Sequence, residues 1–166
     1  MLTEKIKARF GDQILSAQSE RDEETFTIDR EHAPDFFRAV RDEPDFELNF
    51  LTDLTAVDWL ERQPRFDVVY QLNSLTRGHR IRVKIGVDGA EPWVHSVFGI
   101  WRAADWLERE CFDMYGIVFK GHPDLRRILM YDSFEGHPLR KDYLYNKRQP
   151  IVPEVNPVVN PIRSSR

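Results

Sequence analysis

Six residues in the second half of the chain are of types that move protons or bind metal ions: Glu108, Glu110, Asp113, His122, Asp124 and His137, with Cys111 among them as a candidate nucleophile. Carboxylates and imidazoles do such chemistry only when several of them reach one point. Glu108 and Glu110 are two apart in a stretch of helical periodicity, so they point about 200° apart and cannot chelate one ion together. Neither HExxH nor a Glu-x-x-His pair occurs, and the tripeptide GHP, present at 121–123 and 136–138, reads as a turn. Cys111 falls on an apolar helix stripe, where a thiol usually serves packing. A free-standing metal-dependent hydrolase using Glu110, Asp113 and His122 is the catalytic alternative, and it requires that the isolated chain bind metal. GxGxxG and the P-loop pattern are both absent, so no residues support nucleotide binding.

The elements that must position these groups follow from periodicity. Ala104, Leu107, Cys111 and Met114 lie three and four apart and predict a helix that Gly116 ends. On its polar side Asp105, Arg109 and Asp113 are spaced by four, which places one guanidinium between two carboxylates, each pair worth about 0.2–0.5 kcal/mol if exposed. Residues 117–119 read as a short strand, and a second extended piece starts at about Leu125. Upstream, residues 3–10 suit a helix with Thr3 as N-cap and Gly11 as stop. Residues 14–18 and 25–29 read as strands joined by the acidic turn SERDEE. Pro34 opens a helix to about Asp42, closed by Pro44, and residues 46–58 read as a short helix followed by a strand. The clearest strands are RFDVVYQLNSL, with Phe66, Val68, Tyr70 and Leu72 on one face, and HRIRVKIGV, with Ile81, Val83, Ile85 and Val87 opposite Arg80, Arg82 and Lys84; TRGH joins them. This alternation predicts an α+β fold with a mostly antiparallel sheet and helices covering one face.

Residues 1–145 are thus expected to form a single α+β domain. Residues 146–166 differ: prolines at 150, 153, 157 and 161 alternate with Ile151, Val152, Val155, Val158, Val159 and Ile162. Proline removes backbone donors, and the regular apolar residues predict an extended tail that wraps a partner.

A chain of 166 residues, 41 % hydrophobic and 31 % charged, is long enough and apolar enough for one packed core. Its net charge of −4 opposes bulk attraction to nucleic acid or anionic lipid, and acids around Arg126–Arg127 and Arg140–Lys141 offset those basic pairs. No apolar run approaches the roughly 20 residues that span a bilayer. Nor does MLTEKIKARFGDQIL read as a signal or transit peptide, so the chain is expected to stay where it is made. One cysteine allows neither an internal disulfide nor a self-contained iron–sulfur cluster, which needs about four ligands. What remains distinctive is the mixture of Arg109, Arg127, Arg140 and Lys141 with Trp106, Phe112, Tyr115, Tyr131 and Tyr143, the combination of anchors expected at a buried protein–protein interface.

The same residues resemble a known family, the hydrophilic thirty-kilodalton subunit of respiratory NADH:quinone oxidoreductase (complex I). Its signature is filled by Glu108, Arg109, Glu110, Asp113, Met114, Tyr115, His122, Arg126, Ile128 and Leu129; GHPLRKDY stands at 136–143 and LTAVDW at 54–59. The likeness covers roughly residues 48–145, departing where Arg102 and Leu144 replace prolines common in the family. It implies a non-catalytic structural subunit of the peripheral arm, docked on the quinone-site subunit near the subunit with the terminal iron–sulfur cluster. FMN and the iron–sulfur clusters would belong to partner subunits, with no cofactor and no catalytic residue in this chain. The place implied is peripheral, at the cytoplasmic face of a bacterial inner membrane. Partner contacts are expected from Glu108, Arg109, Glu110, Asp113, Tyr115, His122, Arg126, Arg127, His137, Arg140, Lys141, Asp142 and Tyr143. A ferredoxin-linked or hydrogenase-type relative would use the same fold with another electron donor.

Overall fold

A computed structural model describes residues 2–21, 23–146 and 148–149. The strong alternation in the middle of the sequence forms β4 (Phe66–Asn73) and β5 (Arg80–Val87), paired antiparallel from Phe66↔Val87 to Asn73↔Arg80. Strand β3 (Phe50–Asp58) pairs antiparallel with β4, and β1 (Ile14–Glu20) with β2 (Glu23–Ile28). The sheet order is β1-β2-β5-β4-β3, and only β2–β5 is parallel. The expected α+β fold with a mostly antiparallel sheet is therefore present.

All of Phe66, Val68, Tyr70, Leu72, Ile81, Val83, Ile85 and Val87 are buried, whereas Gln71, Arg82 and Lys84 on the other face are half-buried. Helices α1 (Leu2–Phe10) and α2 (Ala33–Asp42) belong to the same core through Ile6, Phe10, Phe36, Phe37 and Val40. Phe37 meets Tyr70 at 4.6 Å between ring centroids, and Phe10 meets Phe36 edge-on at 4.9 Å. Each such side chain, fully buried, contributes roughly 1.5–3 kcal/mol, which makes this aromatic layer the main apolar support of the sheet.

The helix of residues 33–42 has its proline in the first turn, as expected, and Glu43 turns extended before Pro44. Three local expectations are corrected. Helix α1 begins at Leu2, so Thr3 lies inside its first turn and is not the cap. Residues 46–49 are not helical: Glu47 has φ 46°, and the Leu48 N–H reaches back to the Val40 carbonyl at 2.8 Å. A short strand, β6 (Trp93–His95), was not expected; it pairs in parallel with β7 (Val118–Lys120), the strand expected near 117–119. The tail expected over residues 146–166 lies almost wholly outside the described residues.

The segment between β3 and β4 folds back over the outer sheet face. Trp59 Nε1 donates to Asp67 at 2.9 Å, Arg62 pairs with the same carboxylate, and the Pro64 ring lies on Gly86, where a Cβ would come within 2.5 Å of Pro64 Cγ. Glycine is therefore required at position 86 for this close approach.

Candidate docking site at the end of the third helix

Helix α3 (Ala104–Tyr115) ends as its sequence predicts: Gly116 adopts φ 74°, and its N–H returns to the Phe112 carbonyl at 2.9 Å. The last carbonyls of a helix have no partner within it. Here the GHPLR motif supplies the donors. His137 Nδ1 donates to the Asp113 carbonyl at 2.9 Å, the Leu139 N–H to Met114 at 3.1 Å, and Arg140 Nε to Tyr115 at 2.5 Å. A Cβ on Gly116 would lie 2.5 Å from His137 Nε2 and 2.9 Å from Arg140 Nη2, so this docking needs a glycine. Burial and the nearby Arg140 and Arg127 charges lower the pKa of His137, keeping its imidazole neutral against the helix.

The Asp113 side chain, wholly buried, organises the next segment. It accepts from Arg127 Nη1 at 2.6 Å and from the N–H groups of Ile128, Leu129 and Met130 at 3.1, 2.8 and 2.8 Å. Desolvation pushes its pKa up, but these four hydrogen bonds outweigh it and leave the carboxyl below its ordinary value. Residues 128–130 thereby turn their donors onto one carboxylate, which is why the extended piece expected from Leu125 is not a strand.

Glu108 is equally buried and differently treated. It accepts from Ser96 Oγ at 2.6 Å and the Val97 N–H at 2.7 Å, with no cation within salt-bridge distance among the described residues. Burial raises its pKa to about 7. Cys111, buried on the stripe between them, donates to the Leu54 carbonyl at 3.8 Å, and desolvation pushes its thiol far up, which opposes formation of a thiolate.

The third motif, LTAVDW, ends at the same place. Buried Asp58 accepts two bonds from Arg65, at 2.9 and 2.8 Å, and one each from the N–H groups of Leu60 and Lys141. Arg65 also holds Asp142 at 2.9 Å. The Arg65 guanidinium keeps Asp58 well below the usual carboxylate range, and its own pKa rises in return. Sequence reasoning missed Asp58 and Arg65 because their partners in GHPLRKDY are more than 70 residues away; the LTAVDW motif was the available signal.

The other expected contact residues divide between inside and outside. Glu110, Arg126, Lys141 and Asp142 are exposed, Arg126 in a 2.8 Å pair with Asp124. Tyr115 is half-buried, edge-on to Phe66, and Tyr143 stacks on Phe134. The His122 side chain is sealed: its Nδ1 accepts from the Asp124 N–H, which leaves the proton on Nε2, facing the Asp105 carbonyl at 3.3 Å and carboxylate at 3.4 Å. Glu108 and Asp113, by contrast, are interior to the chain. Arg109 does not lie between Asp105 and Asp113, because His122 and Arg127 have taken those carboxylates. Glu110, Asp113 and His122 do not converge, and among the described residues no three His, Cys, Asp or Glu side chains are placed to hold a metal ion.

All three motifs fall within the span that a known family matches. The family described as "Respiratory-chain NADH dehydrogenase, 30 Kd subunit" matches residues 26–149. An NADH-quinone oxidoreductase subunit of Citrifermentans bemidjiense is 48 % identical over 84 % of this chain and 85 % of its own length; its counterpart in Geobacter sulfurreducens is 46 % identical over the same shares. Among solved structures, a trypsin-resistant fragment of Nqo5 superposes with a TM-score of 0.65 at 30 % identity, covering 75 % of this chain and 100 % of the fragment. A chain from the archaeal membrane-bound sulfane sulfur reductase, 23 % identical, shares the fold with a TM-score of 0.73, over 87 % of this chain and 85 % of its own. No helix among the described residues is long and apolar enough to cross a membrane. The chain belongs to the family of the 30-kDa subunit of the respiratory-chain NADH dehydrogenase.

Proposed function

We propose that this chain is a non-catalytic structural subunit in the peripheral arm of a proton-translocating NADH:quinone oxidoreductase. One observation carries the reading: several of the titratable groups that mark the family are engaged in holding the chain's own motifs together. Asp113, His137 and Arg140 tie α3 to residues 127–140, Asp58 ties the end of β3 to Lys141, and His122 is locked on Asp105. Groups so engaged define a rigid surface and are poorly placed to turn over substrate.

The docking face of this reading is the exposed part of the same region: Glu110, Arg126, Lys141 and Asp142, with the exposed apolar side chains Trp106, Leu129, Leu139 and Leu144. Such a mixture of apolar anchors in a polar rim suits a protein partner. Following the family likeness, that partner is the quinone-site subunit, near the subunit with the terminal iron–sulfur cluster, at the cytoplasmic side of the membrane. FMN and the clusters reside in partners.

The test is to tag the chain at native level, solubilise membranes gently, identify copurifying proteins by mass spectrometry and assay NADH:quinone reduction in the same fraction. Flavin and iron–sulfur subunits recovered with activity are expected. A different electron-input module in their place would move the chain to a ferredoxin-linked or hydrogenase-type complex, and a lone chain with bound metal would refute the reading.

A further inference from the structure

Arg109 is 8 % exposed, yet no carboxylate among the described residues lies within salt-bridge distance of it. The two acids one helical turn to either side are engaged elsewhere, Asp105 with His122 and Asp113 with Arg127. What holds the guanidinium is weak by comparison: Nε to the Arg126 carbonyl at 3.3 Å, Nη2 to the Arg127 carbonyl at 3.4 Å, and the face of Trp106 with its ring centroid 5.2 Å away. The buried carboxylates of this region that remain charged are better served: Asp58 by Arg65, and Asp113 by Arg127 and three N–H groups, whereas Glu108, which has no cation, has its pKa raised by burial.

A guanidinium never sheds its proton at physiological pH, so burial cannot neutralise it as it neutralises a carboxyl. Buried charges are therefore paired. None of the nitrogens of Arg109 is both sealed from solvent and without a partner, so a narrow approach remains open. Beside that approach stands Trp106, 63 % exposed, braced against Arg109 on an otherwise well-packed helix. Such an indole, fixed on a rigid charge, has the character of an interface anchor.

We infer that Arg109 is completed from outside the chain, by an Asp or Glu side chain of another subunit that enters beside Trp106, with the indole covered by an apolar part of the same segment. The inference rests on the structural-subunit reading and adds the chemistry of the partner: an acidic residue within an apolar stretch, forming a desolvated ion pair with Arg109. The carbonyls of Arg126 and Arg127 hold the guanidinium plane in place to receive it.

The pairing predicts opposite effects on the free chain and on the assembly. Arg109→Met removes an unpaired buried cation from the isolated full chain and leaves its melting temperature unchanged or raised. In the native complex the same change strands the partner's carboxylate, lowering recovery of the adjoining subunit by about tenfold or more in moderate salt. Trp106 replaced by a benzophenone-bearing amino acid is expected, on illumination of intact membranes, to cross-link to another subunit in a peptide containing Asp or Glu. Wild-type recovery of the complex with Arg109→Met would overturn the inference, as would a melting temperature that falls in step with the assembly, or a cross-link confined to this chain. These results leave the structural-subunit reading intact as long as the wild-type chain still copurifies with the oxidoreductase subunits; absence of that copurification would refute both.

Discussion

The two ends of the domain are closed by different physics. At the end formed by α1 and α2, Phe10, Phe36, Phe37 and Phe46 pack on each other and on Tyr70, and closure is a matter of apolar area. At the end of α3, closure is a polar knot in which Asp113 and Asp58 collect hydrogen bonds from residues 65, 127–130 and 141. Apolar packing tolerates small errors of shape, whereas a buried carboxylate missing one partner carries the full penalty of desolvation. The family's signature lies at the second end, where substitution is least forgiving.

The contrast can be broken most severely at Asp113. Asp113→Ala strands Arg127 and three N–H groups and is expected to cost about 3–5 kcal/mol, read as a fall in melting temperature with loss of amide protection over residues 127–130. Gly116→Ala is expected to cost about 1–3 kcal/mol, from left-handed strain and from displacement of His137; a chain with unchanged stability would show that GHPLR is not seated on the helix end. Acid should separate the two ends. Asp58 and Asp113 have depressed pKa values, so the stability they contribute is complete above the ordinary carboxylate range, near pH 4, and is lost as pH falls through their lower native values. Hydrogen exchange in acid should therefore open residues 127–142 before the α1–α2 layer; simultaneous opening would argue against the division. Ile85→Val, in the apolar sheet face, should cost only about 0.5–1.5 kcal/mol at any pH.

The smallest effect sharpens the comparison within α3 itself. Glu108, without a cation, has its pKa raised to about 7 by burial. A raised acid contributes fully below its unfolded pKa, about 4, and loses that contribution progressively as pH rises from there through 7. Glu108→Gln should thus be near neutral at pH 4, increasingly stabilising relative to the parent as pH rises towards 7 and constant above it, checked by thermal melts at pH 4, 6 and 8.

How much of this was legible in the sequence depended on range. The alternation of Ile81, Val83, Ile85 and Val87 fixes which face of β5 is buried because the information lies within one strand. The stripe through Cys111 and the stop at Gly116 did the same for α3. Geometry on the helix also separated Glu108 from Glu110 correctly, one buried and one exposed, though not which was which. The pairing of Asp113 was not legible, since Arg109 is the nearer cation by sequence and Arg127 the nearer in space. For the same reason LRRIL read as extended: nothing local reveals that a carboxylate on another element will collect its N–H groups. The three-residue β6 is too short for period-two alternation to register.

The link between Asp58 and the Lys141 N–H joins residues 83 apart, and this has a consequence for biosynthesis. Sheet and helices can be laid down as the chain leaves the ribosome, but α3 must wait with its terminal carbonyls uncapped until residues 137–140 emerge. Nascent chains paused before that point should be protease-sensitive around residues 113–130, and a chaperone or partner arriving early would find the signature end still open.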